Sequence, residues 1–226
     1  MQAVVGDDCP RFCASTLEGG DACVVRQEPR DGVILQINGA PAFRLEVEFT
    51  CVLDGHADYL AVQKSSIKVF VAPAGKQPLF RYEYERTVRS AIAGAHIQFH
   101  GQHPELESAM QNTGSSTTRS RRRADGKKPM ELSALHFPVG GPRFRPCLED
   151  VMEMLIDEFG VQPVGSISAA RATLASGRET WRRKQVATVV RDAPDVAVQA
   201  LKKLGFHVEP PAGGHPPGKS VVLQSL

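Results

Sequence analysis

The chain contains no run of about 18 apolar residues that could cross a bilayer as a helix, and no basic-then-apolar leader. The expectation is a cytoplasmic protein with no membrane contact. Charge of one sign is not in excess either, since 27 basic residues against 25 acidic ones give a net charge of +2. Net charge alone therefore does not mark a nucleic-acid binder, and any such role must come from local clustering. Cysteines are few and odd in number: Cys9, Cys13, Cys23, Cys51 and Cys147. A secreted disulfide framework would use an even set in a shorter chain. Neither a GxxxxGK[ST] phosphate loop nor a GxGxxG dinucleotide fingerprint is present, and no internal repeat is evident.

What remains is enough for a buried core, with 42% hydrophobic residues in 226. From Asp31 to His100 short alternating runs are separated by hairpin dipeptides, which predicts an antiparallel meander of about five strands. Val33 to Ile37 leads into Asn38-Gly39, a dipeptide suited to the positive φ of a tight hairpin. In Phe43 to Val52 the residues Phe43, Leu45, Val47, Phe49 and Cys51 face inward, and Arg44, Glu46, Glu48 and Thr50 face out. Asp54-Gly55 marks a second turn before strands at Ala57 to Gln63 and Ile67 to Val71. Phe80, Tyr82, Tyr84 and Arg86 share one face of the next strand and Arg81, Glu83 and Glu85 the other. Glu131 to Phe137 reads as a last strand. From Cys147, the residues Leu148, Val151, Met152, Leu155 and Phe159 recur at helical spacing, with Glu149 and Asp150 in the first turn and Gly160 as a stop. Ser166 to Arg191 is a longer helical region dense in cations, interrupted by Trp181, and a short helix runs from Asp195 to Leu204 after Pro194.

These elements predict an α+β fold: an antiparallel sheet of five to seven strands packed by one amphipathic helix, with a helical C-terminal extension. Residues 1–30 form a Cys-containing N-terminal segment, 31–160 the α+β core domain, 161–209 a cationic helical extension, and 210–226 a Pro/Gly-rich tail expected to fray. Within the core domain, 107–130 lacks apolar periodicity and carries Arg119, Arg121, Arg122, Arg123, Lys127 and Lys128. It is either a solvated mobile loop or an electrostatic arm for phosphates.

Chemistry concentrates between residues 79 and 103. His96, Gln98 and His100 share one side of a strand, with His103 nearby. His96 and His100 stand about 13 Å apart by strand rise, too far to chelate one ion. Cys9, Cys13 and Cys23 could supply three thiolates to zinc, with His56 or Glu18 as a fourth ligand, but their spacing suits free thiols as well. The expectation is thus no metal and no cofactor. Two readings of the histidine strand stay open: a plain polar sheet face, or metal-free acid and base catalysis on a phosphodiester. In the second, His96 and His100 move protons, and Tyr82 stacks or donates a hydrogen bond. Arg81, Arg86, Arg143 and Arg145 hold the phosphate. The Gly-rich stretch GGPRFRP, residues 140–146, presents its two arginines on one side if extended, or is a rigid loop that sets the entry of the following helix.

The segments FRYEYER, HIQFHGQH and LHFPVGGPRFRP resemble the TumE-like toxins of bacterial toxin–antitoxin pairs, over about residues 43 to 160. The residues that carry the resemblance are Phe80, Arg81, Tyr82, His100 and His103; where that family continues D-N-A-P-H-H, this chain has Glu83-Tyr84-Glu85-Arg86. LHFPVGGPRFRPCLED is also similar to a segment of uncharacterised actinobacterial proteins. The toxin resemblance implies an RNA-directed toxin, a metal-independent ribonuclease with RNA as substrate and a cognate antitoxin protein as partner. The alternative is a non-enzymatic interaction module that binds a protein or nucleic acid through its cationic C-terminal helix.

Overall fold

The computed structural model describes residues 1–54, 59–87, 92–105, 107, 121–122, 125–127 and 130–225. Among them eight strands form one antiparallel sheet: β1 (Arg11–Thr16), β2 (Ala22–Glu28), β3 (Val33–Ile37), β4 (Ala40–Leu53), β5 (Leu60–Val71), β6 (Phe80–Glu85), β7 (Ala95–Phe99) and β8 (Phe137–Pro138). Their order is β1-β2-β4-β5-β6-β7-β8, with β3 also paired to β4. β2 and β3 share one edge of β4, β2 opposite residues 48–52 and β3 opposite 40–45. The helices are α1 (Gln2–Val5), the single turn α2 (Gly141–Phe144), α3 (Leu148–Phe159), α4 (Ile167–Asp192), α5 (Pro194–Lys203) and α6 (Ser220–Gln224). The fold is α+β, as the alternating runs and the amphipathic helix predict.

Several local expectations hold in detail. Asn38 and Gly39 take φ of 51° and 74° and close the β3–β4 hairpin. Phe43, Leu45, Val47 and Cys51 are buried on β4 while Glu48 is exposed, the alternation of a half-buried strand. In α3 the buried residues are Val151, Met152, Leu155 and Ile156, and Gly160 ends the helix at φ 70°. These side chains meet Val33, Leu35, Leu45, Val69 and Phe80 from the sheet to form the core.

Other elements differ from the expectation. Residues 11–28 are two strands of the same sheet, since β2 pairs with β4. The runs before and after Lys64-Ser65-Ser66 are one strand, β5. Its polar midsection pairs with Glu48, Phe49 and Thr50 on β4 and with Glu83, Tyr84 and Glu85 on β6, so ladder bonds on both sides outweigh weak local strand preference. The turn residue Gly55 and the strand start at Ala57 lie outside the described residues. Glu131 to Phe137 is not a strand: Leu132–Ala134 is a 3-10 turn, and only Phe137 and Pro138 pair with β7. Pro138 has no N–H to extend the ladder.

Helix α4 packs on α3 through buried Ala170 and Leu174 and through charge. Arg178 Nε donates to Asp150 at 2.7 Å and its guanidinium also reaches Glu153. Arg171 pairs with Asp157, Arg182 with Asp150 at 3.4 Å, and Arg183 with Glu179 on α4 itself at 2.7 Å. Much of the helix's cationic character is therefore neutralised internally. The C-terminal tail returns to the body, where the Lys219 N–H donates to the Asp192 carbonyl at 2.7 Å. No helix among the described residues is long and apolar enough to cross a membrane.

Candidate functional site

Strand β6 sorts the candidate residues, because neighbours on a strand point to opposite faces. On one face the β6–β7 register sets Arg81 opposite Gln98 and Glu83 opposite His96. Arg81 Nε donates to Gln98 Oε1 at 2.7 Å and lies 3.4 Å from Glu83 Oε2. The same Glu83 oxygen is 3.3 Å from His96 Nε2, and His96 Nδ1 is 2.9 Å from the Ala93 carbonyl. Both ring nitrogens thus face oxygen atoms. The hydrogen bond from His96 holds the Glu83 carboxyl below its usual range; burial opposes this, and the charges of Arg81, His96 and Lys68 assist it. His136 sets its ring edge-on to His96 at 4.4 Å between centroids. Arg81, Glu83, His96 and His136 line, with Ser66, a cavity of about 340 Å³.

His136 was absent from the sequence-level candidates. It lies 40 residues from His96, and only the pairing of His96 with Pro138 brings it close. His100 falls outside this cavity's lining; Gln77 Nε2 lies 3.3 Å from its Nδ1. Burial and the nearby Arg81 charge push the His100 pKa down, against the opposing charge of Glu83. The two histidines expected to act together do not converge on this cavity.

Tyr82 belongs to the opposite face. It packs against the core with its ring edge-on to Phe80 at 6.1 Å, and burial with the nearby Asp150 charge raises its phenol pKa. The sheet separates it from Arg81 and His96, which corrects the expectation of one shared catalytic group. Arg143 and Arg145 also lie on the Tyr82 side. Residues 141–144 form a helical turn rather than an extended loop, and Gly140 precedes it at φ 74°. Arg143 Nε donates to Asp192 Oδ2 at 2.6 Å, and that carboxylate is 1% exposed. The Arg145 guanidinium stacks 3.7 Å over the Tyr84 ring and lies 5.5 Å from Trp181.

The N-terminus of α3 is not an open anion seat. Asp150 accepts the Cys147 N–H at 3.0 Å and its thiol at 3.2 Å. Burial pushes the Cys147 thiol up to about 12, which removes it as a nucleophile.

Of the four arginines expected to hold a phosphate, Arg81 lies on the other face of the sheet and the remaining three come together. Arg86, Arg143 and Arg145 line a cleft of about 380 Å³ with Lys184, Arg191 and Lys219, against the carboxylates of Asp54 and Asp192. Six cations against two carboxylates leave an excess of four. Trp181, Lys184, Gln185, Thr188 and Arg191 form one wall, and their spacing of three and four residues places them on one face of α4. That spacing was the available sequence signal; it is polar and aromatic, so a search for apolar periodicity passes over it. Arg191 donates to the Tyr59 hydroxyl at 2.9 Å. Arg143, Arg145, Trp181 and Gln185 also border a neighbouring cavity of about 390 Å³, lined further by Tyr82, Phe144, Pro146 and Val186.

All five cysteines are free: Cys9 is buried, Cys13 is exposed, and Cys23 stands opposite Cys51 across the β2–β4 pair. Among the described residues no group of three or more His, Cys, Asp or Glu side chains is arranged to hold a metal ion. His56, part of the zinc alternative, lies outside the described residues, as do Arg119, Arg123 and Lys128 of the basic segment. The chain matches no protein-family model, no curated protein and no solved structure.

Proposed function

We propose that the protein is RNA-directed and binds the RNA backbone in the cleft between the sheet and α4. The observation that carries this reading is the excess of four positive charges in a concave site that also holds the Tyr84–Arg145–Trp181 stack. Guanidinium and ammonium groups attract phosphates, and clustering them in a cleft raises the local field. Such binding releases counterions, so affinity falls steeply with salt. Titration of a labelled RNA by fluorescence anisotropy at several salt concentrations tests the reading. Binding with a salt slope that drops by about one for each cation removed supports it. Unchanged binding in Lys184→Glu/Arg191→Glu would refute it.

A second reading adds chemistry: a metal-independent ribonuclease, toxin-like in role and restrained by a cognate antitoxin protein. The cluster of Arg81, Glu83, His96 and His136 around one cavity favours it, because it holds two imidazoles near a guanidinium. Tyr84 borders both this cavity and the cationic cleft, which lie on opposite faces of the sheet, so this reading stands apart from the backbone-binding one. Cleavage of RNA in chelator, lost in both His96→Ala and His136→Ala, is the expected result. Growth arrest on expression that survives both substitutions would dispose of it.

A further inference from the structure

Resting on the RNA reading above, we infer that the site takes unpaired nucleotides, with phosphates in the cationic cleft and a base in the neighbouring cradle of Phe144, Trp181 and Val186. The cradle, at about 390 Å³, lies in the size range of small-ligand pockets, roughly 300 to 1,000 Å³. Its apolar groups are poorly covered: Phe144 is 69% and Val186 62% exposed. The turn before Phe144 is tight, and a side chain on Gly140 would meet the Phe144 Cβ at 3.0 Å.

Arg145 joins the two cavities. With Trp181, 5.5 Å from its guanidinium, it lines both, so a phosphate beside the guanidinium and a base beside the Trp181 ring would be neighbours. A duplex can use the cations but has no free base face to offer, whereas a single strand can stack on the rings. An acidic amphipathic peptide is the other chemistry a charged, partly apolar cleft could attract. Such a helix needs a groove with a row of apolar anchors at i, i+3, i+4 and i+7, and the cradle is one compact pocket.

Trp181 is the only tryptophan in the chain, so its fluorescence reports on the shared wall without labelling. The test titrates the full chain with single-stranded RNA, the same sequence as a duplex, an abasic oligonucleotide, inorganic phosphate and an acidic peptide. Single-stranded RNA is expected to quench Trp181 and to bind at least about tenfold more tightly than the duplex or the abasic strand, the size of one base–aromatic stack. Phe144→Ala should lose about tenfold in affinity for the single strand and keep the wild-type salt slope, while Phe144→Tyr should bind like wild type. Equal binding of duplex, abasic and single strands, with Phe144→Ala unchanged, overturns the inference and leaves the RNA reading intact. Tighter binding of the peptide overturns it as well. Loss of all RNA binding in the wild type removes both.

Discussion

The two sides of β6 arrange their ionisable residues in opposite ways. On the Arg81 side the strand register delivers partners: Arg81 meets Gln98 and Glu83, and Glu83 meets His96, so positive and negative charge lie in contact. On the Tyr84 side the cations come from elements distant in sequence, and they outnumber the carboxylates six to two. The same contrast divides α4. Arg171, Arg178 and Arg182 face α3 and pair with its acids, while Lys184 and Arg191 face the cleft. A balanced cluster mainly holds elements together; an unbalanced one stores a field that an anion can relieve.

Substitutions can break this contrast from either side. The largest effect is expected for Lys184→Glu/Arg191→Glu, which turns an excess of four into a balance and should weaken RNA binding by about a hundredfold at moderate salt. Anisotropy titration measures it, and an unchanged denaturation midpoint would separate binding from folding. On the balanced side, Arg178→Ala leaves Asp150 and Glu153 without their shared cation at a site only 18% exposed. Its cost should be about 2 kcal/mol, between the values for exposed and buried pairs, read from urea denaturation.

The Glu83–His96 pair gives a pH signature. A carboxyl whose folded pKa is lowered stabilises the fold above its unfolded pKa, near 4.3 for glutamate, and that contribution fades as pH falls through the lowered folded value. Comparing wild type with Glu83→Gln by urea denaturation should therefore show a stability difference that shrinks as pH falls below about 4. A difference that grew as pH fell below about 4 would contradict the pairing. The smallest effect belongs to Arg183→Ala, whose 78% exposed side chain makes an i,i+4 pair with Glu179; it should change stability by less than about 0.5 kcal/mol and leave RNA binding close to wild type.

Much of the fold was legible along the chain. The alternation of Phe43 to Cys51, the Asn38-Gly39 turn and the apolar stripe from Leu148 to Phe159 are short-range patterns, and they appear as read except at the end of the stripe, where Phe159 is 45% exposed and only edges onto Phe43. The site was legible only in part. Arg81 and Tyr82 are adjacent on a strand, so alternation alone already separates them, and grouping them in one catalytic cluster goes against that rule. Arg86, Arg143 and Arg145 do converge, but on a wall supplied by α4. Lys64-Ser65-Ser66 reads as a break because isolated propensity knows nothing of strands paired on both sides.

Side-chain periodicity and turn chemistry act over a few residues, so they dictate the meander, the helix α3 and the polarity of each strand face from the chain itself. Which cations find acids and which remain in excess depends on residues far apart in sequence. Asp192 reaches Arg143 across 49 positions, and His136 reaches His96 only through the pairing of β7 with β8. Coulomb energy and stacking depend on distance in space, and only the packing of α4 against the sheet sets those distances.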